Sequence, residues 1–271
     1  MTRQYCHIGS RTIAYLDSAP RKNDLRTLVL LHAFPIGANL WEPQMRSVPA
    51  GWRLITPDLR GFGGTSELDS AGGLSMADYA QDVVDLLHEL HIARAVVGGC
   101  SMGGYATFAV YQSHPEMIDG LIFANTRATA DTPEARANRR NMLALVDREG
   151  PSGVVRDMMP KLLGKTTHDS NSTVEATVRR LIKQQSPIAI RGAIQRMMHR
   201  PDSTPMLPQI SVPTLVITGA EDEMIPVEES RRIAAGIAGA TLVIVPGAGH
   251  LANLEQPEAF NEALGAFLKT V

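Results

Sequence analysis

Ser101, His250 and the acidic run Glu221-Asp222-Glu223 are the residues whose types and order could do chemistry together. A neutral serine hydroxyl is a poor nucleophile and needs an adjacent base, which near neutral pH is most often imidazole. The imidazole in turn needs a carboxylate that fixes its tautomer and stabilises its cationic form. Each of the three follows an apolar run in the sequence, serine first, acid second and histidine last. Spacing alone does not choose among Glu221, Asp222 and Glu223.

The serine sits in Val97-Gly98-Gly99-Cys100-Ser101-Met102-Gly103-Gly104. An apolar run from Ala93 to Val97 ends abruptly in glycine, and Met102 to His114 then reads as a helix. A serine on so sharp a strand-to-helix turn is pushed off the sheet in strained geometry, and small neighbours let strand and helix approach. Gly99, Gly103 and Gly104 supply that room. The following helix aims its free N–H groups at the position where an oxyanion would develop.

These groups need a frame. Tyr5–His7 and Thr12–Leu16 flank Gly9-Ser10 as a hairpin. Short, wholly apolar runs follow at Leu28–Leu31, Trp52–Thr56 and Ile118–Ala124, as expected of strands buried on both faces. Between them, Met76 to Leu90 repeats apolar residues at a helical period. The alternation predicts an α/β fold with a mostly parallel central sheet and helices on both faces, in which ligands bind at the carboxyl ends of the strands. The loops His32–Pro35, Asp58–Gly64 and Ser101 should therefore cluster. From Ala128 to Leu207 only helical segments are legible. Thr132-Pro133-Glu134 reads as a helix start with its end at Gly150, Ser172-x-x-Glu175 as a capping box, and Ser186-Pro187 as the start of a helix to Met198. Strands resume at Thr214–Thr218 and Leu242–Val245, with helices over Val227–Ile237 and from Gln256-Pro257 to Leu268. The expected organisation is a core in two parts, 1–127 and 208–271, interrupted by a helical cap at 128–207.

Composition narrows the partners. With 271 residues, 44% of them hydrophobic, the chain can bury a full core. A net charge of −2 offers no field for nucleic acid or an anionic membrane, so a small molecule is the expected partner. Cys6 and Cys100 suggest no disulfide framework. No apolar leader or membrane-spanning run is present, and a cytoplasmic location is expected. No histidine or cysteine spacing suggests a metal, and no P-loop or G-x-G-x-x-G suggests a nucleotide, so no cofactor is expected. The sequence leaves the oligomeric state open.

Among the eight histidines, only His250 follows the last strand amid small neighbours, Gly247, Ala248 and Gly249. His32 reads as a brace for its loop, and the other six as surface or helix residues. Cys100 reads as a small packed residue beneath the turn. The cap methionines, Met142, Met158 and Met159 among them, read chiefly as packing, and in the sharper reading as an adaptable apolar lid. Arg127, Arg136, Arg139 and Arg140 read as solvated faces, any one of which could pair with a substrate carboxylate.

These motifs together resemble the α/β-hydrolase family over essentially the whole chain. His32-Ala-Phe-Pro35 is similar to the family's oxyanion loop, with alanine in place of the usual glycine. Asp58-Leu-Arg-Gly-Phe-Gly63 resembles its following loop, and Gly99-Cys-Ser-Met-Gly103 its nucleophile elbow. Gly219-x-x-Asp222-x-x-x-Pro226 resembles the acid loop and Gly249-His250 the histidine loop. The resemblance implies a Ser101–His250–Asp222 triad, selecting Asp222 from the three acids, while Asn125 cannot serve as the acid that some members place there. It also implies backbone oxyanion donors at Phe34 and Met102. Their side chains, with those of Met142, Met158 and Met159, would then line the substrate pocket. Serine at the elbow argues against the dehalogenase and epoxide hydrolase branches, which use aspartate. The implied activity is hydrolysis of carboxylic esters or lactones of small to medium acyl groups, N-acyl-homoserine lactones among them. Perhydrolase or cofactor-free haloperoxidase chemistry (suggested by Pro35), carbon–carbon bond hydrolysis and a ligand-binding receptor on the same fold are the alternatives.

Overall fold

The computed structural model describes residues 2–20, 22, 24–66 and 74–271. Its strands are β1 Gln4–Ile8, β2 Arg11–Asp17, β3 Arg26–Leu31, β4 Trp52–Pro57, β5 Ala95–Cys100, β6 Ile118–Ala124, β7 Thr214–Gly219 and β8 Thr241–Val245. They form one sheet in the order β1-β2-β4-β3-β5-β6-β7-β8. β1, β2 and β4 pair antiparallel, and from β4 to β8 every neighbouring pair is parallel. The central parallel strands are mostly apolar, as burial of both faces requires. Leu28–Leu31, Val96–Val97 and Leu121–Phe123 are all essentially inaccessible to solvent.

The helices are α1 Glu42–Arg46, α2 Met76–Glu89, α3 Met102–Ser113, α4 Pro133–Leu162, α5 Lys165–Ser170, α6 Ser172–Lys183, α7 Pro187–Met198, α8 Val227–Gly236, α9 Ala252–Glu255 and α10 Pro257–Leu268. Helices alone occupy the span between β6 and β7, apart from loops and a 3₁₀ turn at Thr204–Gln209. Gly150 interrupts α4 with φ 58° and ψ −153°, so the expected helix end is a kink between two helical pieces. Among the described residues, no helix is long and apolar enough to cross a membrane.

Two local readings change. β5 does not stop at Val97 but runs to Cys100, because Gly98, Gly99 and Cys100 pair with Ile122, Phe123 and Ala124 of β6. Tertiary pairing overrides the low strand preference of glycine there. The α6 cap is Asn171 rather than Ser172, its side chain accepting from Val174 N–H. Asparagine caps as well as serine, and the start moves by one residue.

Because β3 to β8 run parallel, their carboxyl ends share one edge. The segments that leave it begin at His32, Asp58, Ser101, Asn125, Ala220 and Pro246.

Candidate active site

At the end of β5, Ser101 takes φ 55° and ψ −111°, outside the conformations ordinary L-residues prefer. The surrounding glycines make this turn sterically feasible. A Cβ on Gly99 would lie 2.2 Å from the Gly103 carbonyl carbon, and one on Gly103 would lie 2.2 Å from Leu31 O. Ser101 N–H donates to Ala124 O of β6, and Thr126 Oγ1 donates to Ser101 O at 2.8 Å. The turn is thus pinned from the neighbouring strand end. Phe34 N–H and Met102 N–H have no backbone acceptor among the described residues.

His32, at the end of β3, braces the loop carrying Phe34. Its Nε2 accepts from Leu59 N–H at 3.0 Å, which leaves Nδ1–H to donate to Ala33 O at 3.0 Å. Complete burial makes the charged form costly and lowers its pKa from 6.5 to about 4.

His250 and Asp222 meet where the loops after β7 and β8 converge. His250 Nδ1 lies 2.9 Å from Asp222 Oδ2 and 3.1 Å from Oδ1, and both side chains are shut off from solvent. The carboxylate also accepts from Met224 N–H and Ile225 N–H at 2.9 Å each and from Asn125 Nδ2 at 2.9 Å. Burial pushes the Asp222 pKa up, but His250 and these donors outweigh it and hold the group below the usual carboxylate range. An ionised, acceptor-only Asp222 requires Nδ1 of His250 to carry a proton, which turns a basic Nε2 away from Asp222. No direct hydrogen bond joins Ser101 Oγ to His250 among the described residues. Both line the same cavity, about 260 Å³ in volume. Free enzymes commonly hold such contacts long and tighten them on the substrate.

The other acids of the run do different work. Glu221 accepts from Thr166 N–H at 2.8 Å and Thr166 Oγ1 at 2.6 Å, tying the β7 loop to α5. Glu223 is exposed. Cys100 is packed with its Sγ 3.7 Å from His250 O, and burial pushes its thiol pKa well up.

Of the expected pocket residues, Phe34, Met142 and Met158 line the cavity, whereas Met102 and Met159 do not. Met102 is completely buried under the turn, and Met159, one position past Met158 on α4, faces the packed interior. Adjacent helical residues point about 100° apart, so only one of that pair can face the cavity. Arg127 and Arg139 also line it, and Arg136 and Arg140 do not. Met197, another of the cap methionines, also lines it, and Tyr105, Met224 and Ile225, which sequence reasoning missed, complete the apolar wall. A larger groove, about 540 Å³, runs between α1, α6 and α10 and contains neither Ser101 nor His250.

Two supporting residues were not foreseen either. Asn125, at φ 45°, donates from Nδ2 to both Asp222 Oδ2 and Gly249 O, so it joins the acid loop to the histidine loop. Glu255 is a buried carboxylate that accepts from Gly249 N–H and Leu251 N–H at 3.0 Å each. It also accepts from Gly164 N–H and Thr167 Oγ1 at 2.7 Å each. An acid five residues after His250 was the available signal for Glu255.

Comparison with known proteins places this geometry. Residues 26–257 match the family model described as alpha/beta hydrolase fold. A protein of Caulobacter sp. strain K31, provisionally named carbamate hydrolase RutD, is 31% identical over 91% of each chain. 3-Oxoadipate enol-lactonase 2 of Acinetobacter baylyi is 27% identical over 91% of this chain and 90% of its own. A thermophilic esterase from Thermogutta terrifontis, solved with malate bound, superposes with a TM-score of 0.92 at 34% identity, covering 100% of this chain and 99% of the esterase. The chain belongs to the alpha/beta hydrolase family and is a hydrolase by kinship with these relatives.

Proposed function

We propose that the chain is a serine hydrolase that cleaves carboxylic esters or lactones of small to medium acyl groups. Ser101 Oγ attacks the carbonyl carbon while His250 Nε2 takes its proton. Asp222 holds the imidazole tautomer and stabilises the imidazolium. The N–H groups of Phe34 and Met102 donate to the oxyanion, each worth about 3–4 kcal/mol in the transition state. His250 then returns the proton to the departing alcohol and activates water to release the acid. With a lactone, alcohol and acid leave as one ring-opened product. In this reading residues 128–207 act as a cap over the core formed by 1–127 and 208–271. Its helix α4 carries Met142 and Met158 over a small-molecule site in a cytoplasmic enzyme.

The observation that carries the reading is the 2.9 Å contact of buried His250 with Asp222, beside a left-handed Ser101 on the same cavity. Names among the relatives support ester and lactone carbonyls. The carbamate name favours a second reading, the same attack on a carbamate carbonyl.

The test is a rate comparison across aryl esters of rising acyl length, matched lactones including N-acyl-homoserine lactones, and an aryl carbamate. Steady multiple turnover of at least one ester or lactone series is expected, with Ser101→Ala losing roughly 10³-fold or more in kcat. Unchanged hydrolysis in Ser101→Ala overturns the reading. Single-turnover hydrolysis with a ligand-dependent rise in Tm points instead to a receptor.

A further inference from the structure

The cavity above Ser101 is not neutral. Its lining includes the cations Arg127, Arg139 and Lys161 and the carboxylates Asp131 and Asp157. Asp131 is already shared by two guanidinium groups: Arg139 Nε is 2.9 Å from its Oδ2, and Arg200 Nη1 is 2.6 Å from its Oδ1. Burial would raise the Asp131 pKa, but Arg139 and Arg200 outweigh it and keep the group ionised. One acid therefore answers two bases, and none of its charge is left for the rest of the cavity.

Arg127, Lys161 and Asp157 are the remainder, two cations against one carboxylate. Arg127 donates from Nη2 to the backbone carbonyl of Met224 at 2.9 Å, a contact that aims the guanidinium but does not neutralise it. Its Nε is buried and has no hydrogen-bond partner. Neither Arg127 nor Lys161 has a carboxylate within ion-pair distance among the described residues. A buried, unpaired donor on a cation carries a desolvation penalty that an incoming anion would relieve. Guanidinium groups match carboxylates in fork geometry, and Lys161 adds a flexible point charge on the opposite, cap side.

We infer that Arg127 and Lys161 form an anion subsite that selects esters or lactones bearing a free carboxylate remote from the scissile carbonyl. The inference rests on the serine-hydrolase reading for its chemistry, and on the cavity's charge for its specificity. The apolar wall of Phe34, Met142 and Met158 then spans the distance between the reacting carbonyl and the charged end.

The experiment compares para-nitrophenyl hydrogen adipate with its neutral amide counterpart, para-nitrophenyl adipamate, near neutral pH. The expected wild-type kcat/KM ratio favours the anion at least tenfold. In Arg127→Gln and Lys161→Gln that ratio falls toward one, and in the charge reversal Lys161→Glu it falls further, while Arg127→Lys retains part of it. Lys161 is exposed, so its variants keep the test independent of folding. A wild-type ratio at or below one, or a ratio unmoved in every variant, overturns the subsite. Calorimetric binding to Ser101→Ala separates this from the hydrolytic reading. Free adipamate, a monoanion, should bind at least tenfold tighter than adipamide, and the difference should vanish with Arg127→Gln added. Equal binding of the two overturns the subsite even where ester hydrolysis is robust. Arg127-dependent binding with neither ester hydrolysed above the Ser101→Ala rate keeps the subsite and overturns the hydrolase reading instead.

Discussion

At the scale of single residues, two histidines of one chain keep very different partners. His250 meets the Asp222 carboxylate through Nδ1 and lines the cavity beside Ser101, the geometry that the proposed general base requires. His32 is enclosed, accepts a backbone N–H on one nitrogen and donates on the other, so protonation would break a bond as well as bury a charge. Its folded pKa of about 4 lies below the ordinary 6.5, so the unfolded chain binds more protons between those values. The contribution is full above pH 6.5 and is lost as pH falls toward 4, up to about 3 kcal/mol by linkage. Urea melts across that range should show the loss in the wild type and a shallower slope in His32→Gln. Equal slopes would contradict a neutral, bracing His32. For the site itself, Asp222→Asn should lower kcat by about 10⁴-fold through the wrong tautomer, and it should not add to Ser101→Ala in the double variant. The types and order of Ser101 and His250 were legible in the sequence, and so was the bracing role of His32. Choosing Asp222 over its neighbours needed the family resemblance. The contacts of Asn125 were illegible because an amide that merely holds a carboxylate leaves no pattern of its own.

At the scale of elements, the site depends on loops pinned from behind. Glu255, on the short helix α9, accepts four hydrogen bonds, two from the His250 loop and two from the Gly164–Thr167 segment that opens α5. Replacing it by glutamine sets an amide donor against N–H groups that need an acceptor, at a cost of about 1–3 kcal/mol. Glu255→Gln should therefore lower Tm and reduce kcat more than it raises KM, since His250 would lose its fixed position. A change confined to Tm would limit Glu255 to a structural role. Strands and most helices were legible because buried parallel strands are continuous apolar runs and helices carry the 3.6-residue period. The misread pieces were termini, β5 beyond Val97 and the cap of α6, where pairing across the sheet or a neighbouring good cap decides the boundary.

At the scale of the whole molecule, the helical segment between β6 and β7 is fastened to the rest of the fold by polar contacts at separate places. Glu221 and Glu255 hold the α5 end. Elsewhere Arg196 of α7, with no exposed surface, pairs with Asp78 at 3.1 Å and lies 4.9 Å over the Tyr79 ring of α2. Arg196→Ala leaves Asp78 without that charge and a cavity beneath it, and a loss of about 3–5 kcal/mol is expected in denaturant melts. Stability within experimental error of the wild type would show that the fastening lies elsewhere. None of these links could be read from composition, because they join residues 55, 91 and 118 positions apart and turn on which face of a helix meets the core. The same reason explains why Met158 but not Met159 reaches the cavity, and why Arg127 and Arg139, but not Arg136 and Arg140, give it charge.

The central claim is that Ser101 is the nucleophile of an acyl-transfer site. Intact-mass and peptide mapping after treatment with an alkyl fluorophosphonate tests it most directly. The account predicts one stoichiometric adduct on Ser101, abolished in Ser101→Ala and strongly slowed in His250→Ala. An unmodified protein, or an adduct on another residue that persists in Ser101→Ala, would contradict it.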